Sequence, residues 1–142
     1  RDTARMSASE GEFGEEVIRL HRVFEDWFAG ADGASLDEFV DALSDGFVIV
    51  SPDGRVADKR RSVEMVASAR GSGAVAISIR APRLLVDGEM IIGQYEEHQA
   101  RELFVSSRLS TAVLSRDPNA PGGFLWHLVH ETWLPGGEPR QA

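Results

Sequence analysis

The 142-residue sequence predicts an α+β domain. Apolar residues recur every three or four positions in the first part of the chain, the period of a helix. After Gly71 they alternate or gather in β-branched runs, the pattern of strands. Asp87-Gly88 then lies between two such runs, where a hairpin needs residues that accept positive φ.

The first helix is expected from Phe13, Val17, Leu20, Phe24, Trp27 and Phe28, one apolar stripe stopped by Gly30 and Gly33. Ser35 and Glu38 read as a capping box for a second helix, with Leu36, Phe39, Val40 and Leu43 on one side and Gly46 at its end. Phe47-Val48-Ile49-Val50 reads as a strand, turned by Ser51-Pro52-Asp53-Gly54. Asp58 is the expected N-cap of a third helix from Lys59 to Arg70, closed by Gly71.

Everything further on reads as strand. Val75, Ile77 and Ile79 alternate with small residues, and Pro82 marks a bulge or an edge. Leu84-Leu85-Val86 faces Met90-Ile91-Ile92 across the Asp-Gly turn, and the second of these runs on to about Gln99. Further strands are expected from Phe104 to Ser115 and from Phe124 to Leu134. One domain over 13–134 is expected, with 1–12 and 135–142 as flexible tails. The wide stripe of the first helix needs a large partner, and only the sheet supplies one. A strongly curved meander folding around it leaves a cavity, the default ligand site.

Composition narrows the function classes. With no cysteine, the chain has no disulfide, thiolate metal site or cysteine nucleophile. A formal net charge of −8 repels phosphate backbones and anionic lipid, and Lys59-Arg60-Arg61 is too short a basic run to offset it. Nucleic acid and membrane are therefore not expected partners. A cytoplasmic location is the default expectation, since the opening residues lack the apolar core of a signal peptide.

The run Phe124-Leu125-Trp126-His127-Leu128-Val129-His130-Glu131-Thr132-Trp133 resembles the closing strand of nuclear transport factor 2-like domains, in their SnoaL-like and unknown-function branches. Ser110 to Leu114 before a turn, and Phe47 to Gly54 after two helices, also fall where that family has them. The resemblance extends from Phe13 to Leu134. It implies a cone-shaped barrel, a strongly curved and mainly antiparallel sheet packed on three N-terminal helices, commonly as a dimer. The superfamily includes isomerases, dehydratases, cyclases, transport adaptors and assembly hubs, so fold does not fix function. Its ketosteroid isomerases place a general-base aspartate just before a proline at the end of the first strand. Here Ser51 precedes Pro52, and a neutral hydroxyl cannot be that base; Asp53 could stand in only if the turn bends it inward.

On the last strand, alternation puts His127, Val129, Glu131 and Trp133 on one face, and Trp126, Leu128, His130 and Thr132 on the other. The resemblance to the kinase hub branch places the Glu131 face inward, together with Tyr95, Glu97, Leu109 and Thr111. That branch has arginines where this chain has Glu97, Thr111 and Trp133, which argues against a shared anionic ligand.

Glu97 and Glu131 are the candidate catalytic pair. Two carboxyls in an apolar cavity repel each other and lose solvation, which raises at least one pKa and suits proton exchange with a substrate. The alternative is that they sit at the rim or pair with Arg83 or Arg108. Tyr95, Thr111 and His127 are candidate substrate contacts, and Trp27 and Trp133 a candidate aromatic wall; each could equally be core. His130 reads as a structural or interface residue. His127 and His130 point to opposite faces of a strand and cannot share an ion, so neither metal nor cofactor is expected.

Two functions compete. One is a small-molecule-binding domain with possible weak acid–base catalysis, of isomerase, dehydratase or cyclase type, on a hydrophobic metabolite. The other is a non-catalytic accessory or assembly domain that forms a homodimer through the outer sheet face, using Trp126, Leu128, Thr132, Ala112 and Leu114. A peptide-binding transport adaptor has no residue in its favour.

Overall fold

The apolar stripe at the start of the chain becomes α1 (Ala8–Ala29), which buries Phe13, Val17 and Leu20 against the sheet. Gly30 ends it at φ 71°, a left-handed position that glycine takes without a Cβ clash. A computed structural model describes residues 8–142. Of the tail expected over 1–12, residues 1–7 lie outside the described residues, and 8–12 already belong to α1.

The expected second helix is a single turn, α2 (Asp37–Val40). Leu36, not Ser35, holds its N-cap position, in a helical backbone conformation without a side-chain hydrogen bond, so the capping box does not form. The chain enters β1 (Leu43–Val50) almost at once, and Gly46 lies inside that strand. β2 (Val56–Asp58) pairs back on β1, and α3 (Lys59–Ser68) follows. Asp58 caps α3 as expected, its carboxylate accepting from the Arg61 N–H at 2.9 Å. Among the described residues there are thus two sizeable helices rather than the expected three. Trp27 joins them: its Nε1 donates to the Val66 carbonyl at 2.7 Å, and the Arg70 guanidinium lies 4.5 Å over its ring.

The remaining strands are β3 (Ala76–Asp87), β4 (Ile91–Ala100), β5 (Phe104–Arg116), β6 (Phe124–Trp133) and the short β7 (Arg140–Gln141). Their order is β2-β1-β6-β5-β4-β3, with β7 paired to β5. β3 to β6 form the expected antiparallel meander, but β1 lies parallel to β6 and makes the sheet mixed. The expected strongly curved barrel is corrected here: the sheet is open and not strongly curled. The three-residue β2 at one edge offers little ladder to the twelve-residue β3 at the other, so the edges do not close.

Bending is local. Ala81, just before Pro82, takes φ 51° where the β3–β4 register shifts. The hairpin at Asp87-Gly88 forms with Asp87 opposite Ile91, so three residues connect the strands rather than two. Residues 135–142 are held along β5: the Ser107 N–H donates to the Gly137 carbonyl at 2.8 Å, and β7 pairs with Phe104 and Val105.

Phe13 packs onto Gly93, where no Cβ intervenes, and Ile91, Tyr95, Leu114 and Trp126 complete the centre of the core. Glu16 is buried beside them. Its carboxylate accepts from Trp126 Nε1 at 2.8 Å and Arg19 Nε at 2.7 Å, fastening α1 to β6. No helix among the described residues is long and apolar enough to cross a membrane.

Candidate functional site

Residues directly opposite in an antiparallel ladder share a face. Tyr95 stands opposite Ser110, and Ser110 opposite Glu131, so one row crosses β4, β5 and β6. The neighbouring row is Glu97, Arg108 and Trp133. Both rows face α1, and a cavity of about 260 Å³ lies between them and the helices. Phe24 and Phe28 of α1, Phe39 of α2, Phe47 and Ile49 of β1, and Met65 of α3 make its apolar wall.

At the polar end, His21 Nε2 lies 3.0 Å from Glu97 Oε1. The ring's other nitrogen, Nδ1, is 2.7 Å from the Val17 carbonyl, which can only accept, so Nδ1 carries a hydrogen. With Glu97 ionised, Nε2 must carry one too, and the ring is an imidazolium. Burial opposes charge on both partners. For Glu97 it is outweighed by the His21 charge and hydrogen bond, then by Arg108 and the Gln99 amide, which hold the carboxyl at about 2. For His21 it is outweighed by the Glu97 charge and hydrogen bond, with help from the Val17 carbonyl and Glu131, and its pKa is raised.

Glu131 is in a different state. Burial and the Glu97 charge raise its pKa, and the Arg108 charge opposes them only in part. Arg108 Nη1 donates to Glu131 Oε1 at 3.2 Å, and Ser110 Oγ to Oε2 at 3.4 Å. Arg108 Nε is buried without an acceptor among the described residues, and its guanidinium stands 5.0 Å over the Trp133 ring. Tyr95 is fully buried; burial, then the charges of Glu97 and Glu131, raises its pKa well above the usual phenol value, so it remains a hydroxyl.

Of the sequence candidates, the structure brings together Glu97, Glu131 and Tyr95. Trp27, Thr111, His127 and Trp133 do not line the cavity. Trp27 packs α1 on α3. Thr111 faces outward and accepts from Gln94 Nε2 at 3.0 Å, because Ser110 and Arg108 hold the inward positions of β5. His127 sits where the β5–β6 register shifts and its ring meets Ser115 Oγ at 2.7 Å. Trp133 lies beside the cavity beneath Arg108.

The same register shift places Trp126 inward with Val129 and Glu131. The supposed outer stripe is corrected accordingly: Trp126, Ala112 and Leu114 are buried core. The outer face instead carries polar pairs, among them His98 with Glu96 and Arg83 with Gln94. Asp53 is exposed and bonded to Ser51 Oγ within its own turn, so it does not bend inward to replace the missing base. His21 and Ser110 were not among the sequence candidates, and Arg108 was expected there only as an ion-pair partner of the carboxyls, which it is for Glu131. His21 was findable, since it stands four residues after Val17 and three before Phe24, a polar residue on the buried stripe. Among the described residues no cluster of His, Asp and Glu could hold a metal ion.

An N-terminal helix packed on a mixed sheet defines an α+β fold class, and solved structures share it. An NTF2-like protein of unknown function from Pseudomonas aeruginosa matches with 31% identity over 87% of this chain and 99% of its own, at a TM-score of 0.80. The chain belongs to the NTF2-like family. A protein named as a candidate dehydratase of that family, from Streptomyces avermitilis, has 13% identity over 85% of this chain and 95% of its own, at a TM-score of 0.64. The CaMKII hub of S. rosetta has 12% identity over 84% of this chain and 95% of its own, at 0.63. These two share the fold. No family model and no curated protein matches the sequence.

Proposed function

We propose that this protein binds a small apolar metabolite in the cavity and performs proton transfer on it, with Glu131 taking and returning the proton. The supporting observation is the unequal state of two buried carboxyls facing one hollow. Glu97 is committed to His21 and Gln99 and held at about 2, too acidic to keep a proton near neutral pH. Glu131 is raised, which brings it toward the range where a carboxyl serves as both acid and base. Arg108 steadies its ionised form, and the Tyr95 hydroxyl stands in the same cross-strand row. Isomerisation of an enone, elimination of water and ring closure can each use one such proton-transfer group.

The proposed partner is a second copy, paired through the outer sheet face that α1 and α3 leave uncovered, by its polar groups rather than by an apolar stripe. The competing reading, an accessory domain held together by an apolar outer stripe, loses Trp126, Ala112 and Leu114 to the core.

Deuterium uptake from heavy water at the enolisable carbons of 2-cyclohexenone, followed by proton NMR, tests the reading. The wild type should accelerate uptake, and Glu131→Gln should lose about a hundredfold of that acceleration while still folding. Equal uptake by wild type and Glu131→Gln would contradict it.

A further inference from the structure

The size and charge of the cavity narrow what it can hold, given the proposed reading that it binds a small apolar metabolite. Its volume is about 260 Å³. That lies just below the roughly 300–1,000 Å³ of pockets that take drug-sized ligands, which favours a smaller one. Phe24, Phe28, Phe39 and Phe47 surround the hollow, so edge and face contacts to one further ring are available on several sides.

The polar end supplies the rest. His21 and Arg108 bring two positive groups, and Glu97 and Glu131, when ionised, two negative ones. The charges balance within the wall, and an ionic ligand would arrive without a counter-charge to receive it. Arg108 nevertheless has more donors than Glu131 uses: Nη1 serves that carboxylate, and the guanidinium side chain lines the cavity. A buried donor without an acceptor costs free energy that a ligand oxygen can recover.

The geometry points to a neutral, single-ring compound bearing one carbonyl or hydroxyl oxygen, the ring among the phenylalanines and the oxygen accepting from Arg108 beside Glu131. Arg108 is then the residue that fixes ligand orientation and selects for an acceptor oxygen.

The test compares three probes by thermal shift and titration calorimetry: carvone, a neutral single-ring enone; progesterone, a steroid with the same enone; and benzoate, a single ring with a charge. Carvone should raise the melting temperature and bind at least about tenfold more tightly than either of the others, and Arg108→Met should weaken carvone about tenfold. Ile49→Phe, which fills the hollow from its apolar wall, should remove carvone binding in a folded protein. Progesterone binding as well as carvone overturns the size limit, benzoate binding as well overturns the neutrality, and unchanged carvone binding by Arg108→Met overturns the oxygen contact. Each of those leaves the cavity reading standing. Absence of any shift with all three probes overturns both.

Discussion

His21 Nε2 and Glu97 Oε1 meet at 3.0 Å across a sequence separation of 76 residues, inside the domain and out of solvent. The contact joins α1 to β4 and fixes the protonation of both groups, because the Val17 carbonyl claims the other ring nitrogen. A buried pair of this kind contributes little net stability against apolar replacements, but losing one partner strands the other's charge. His21→Leu should therefore lower stability by about 3–5 kcal/mol, and His21→Leu with Glu97→Leu should recover a large part of it. Urea unfolding monitored by tryptophan fluorescence measures both; a single variant no less stable than the double one would contradict the pairing.

The pair also sets a pH window. Glu97 has a folded pKa of about 2 against 4.5 for the free group, so its contribution is full above 4.5 and lost as pH falls through about 2. His21 has a folded pKa raised above 6.5, so its contribution is full below 6.5 and lost as pH rises through the raised value. The two coincide between 4.5 and 6.5, where the urea midpoint should be highest relative to that of the His21→Leu/Glu97→Leu variant. A difference between the two proteins that does not vary with pH would count against it.

Glu131 works in the opposite sense. Its raised folded pKa means that its ionisation above 4.5 costs stability rather than adding it. Glu131→Gln keeps an oxygen for Arg108 and removes the desolvated charge, so its melting temperature at pH 7 should equal or exceed that of the wild type. Glu97→Gln should lower it, since His21 loses its carboxylate. Calorimetry on the two variants separates the carboxyls; a loss of more than about 2 kcal/mol in Glu131→Gln would assign it a structural role.

At Gly93 the Phe13 ring of α1 lies directly on the backbone of β4. An added Cβ would overlap the Phe13 ring, itself fully buried. Gly93→Ala should cost about 1–3 kcal/mol, and Phe13→Leu in the same chain should relieve part of the overlap. Strict additivity of the two substitutions in urea unfolding would show that the residues do not touch.

Much of this was readable from local pattern. The α1 stripe, the Asp58 cap and the β3–β4 hairpin each depend on a few neighbouring residues, and each formed. What failed depends on register. On β5, Ser110, Ala112 and Leu114 alternate with Thr111, Val113 and Ser115, and both halves are small or apolar, so alternation alone could not say which faces in. Only the pairing of Tyr95 with Ser110 decides it. On β6, the shift at His127 turns Trp126 inward beside Val129, which strict alternation forbids. The placement of β1 beside β6 is likewise a long-range choice without a local signature. Glu97 and Glu131 were placed inward by the resemblance to the kinase hub branch, since alternation alone left both faces of β6 open. Their different states were not legible, because the cause is His21 on a distant helix.

The most direct measurement is a carboxyl-carbon NMR titration of Glu97 and Glu131, assigned with the two glutamine variants. Glu131 should titrate above 4.5, while Glu97 remains ionised down to about 2. Coincident titration of the two near 4.5 would mean that His21 does not divide them, and the assignment of proton transfer to Glu131 would lose its basis.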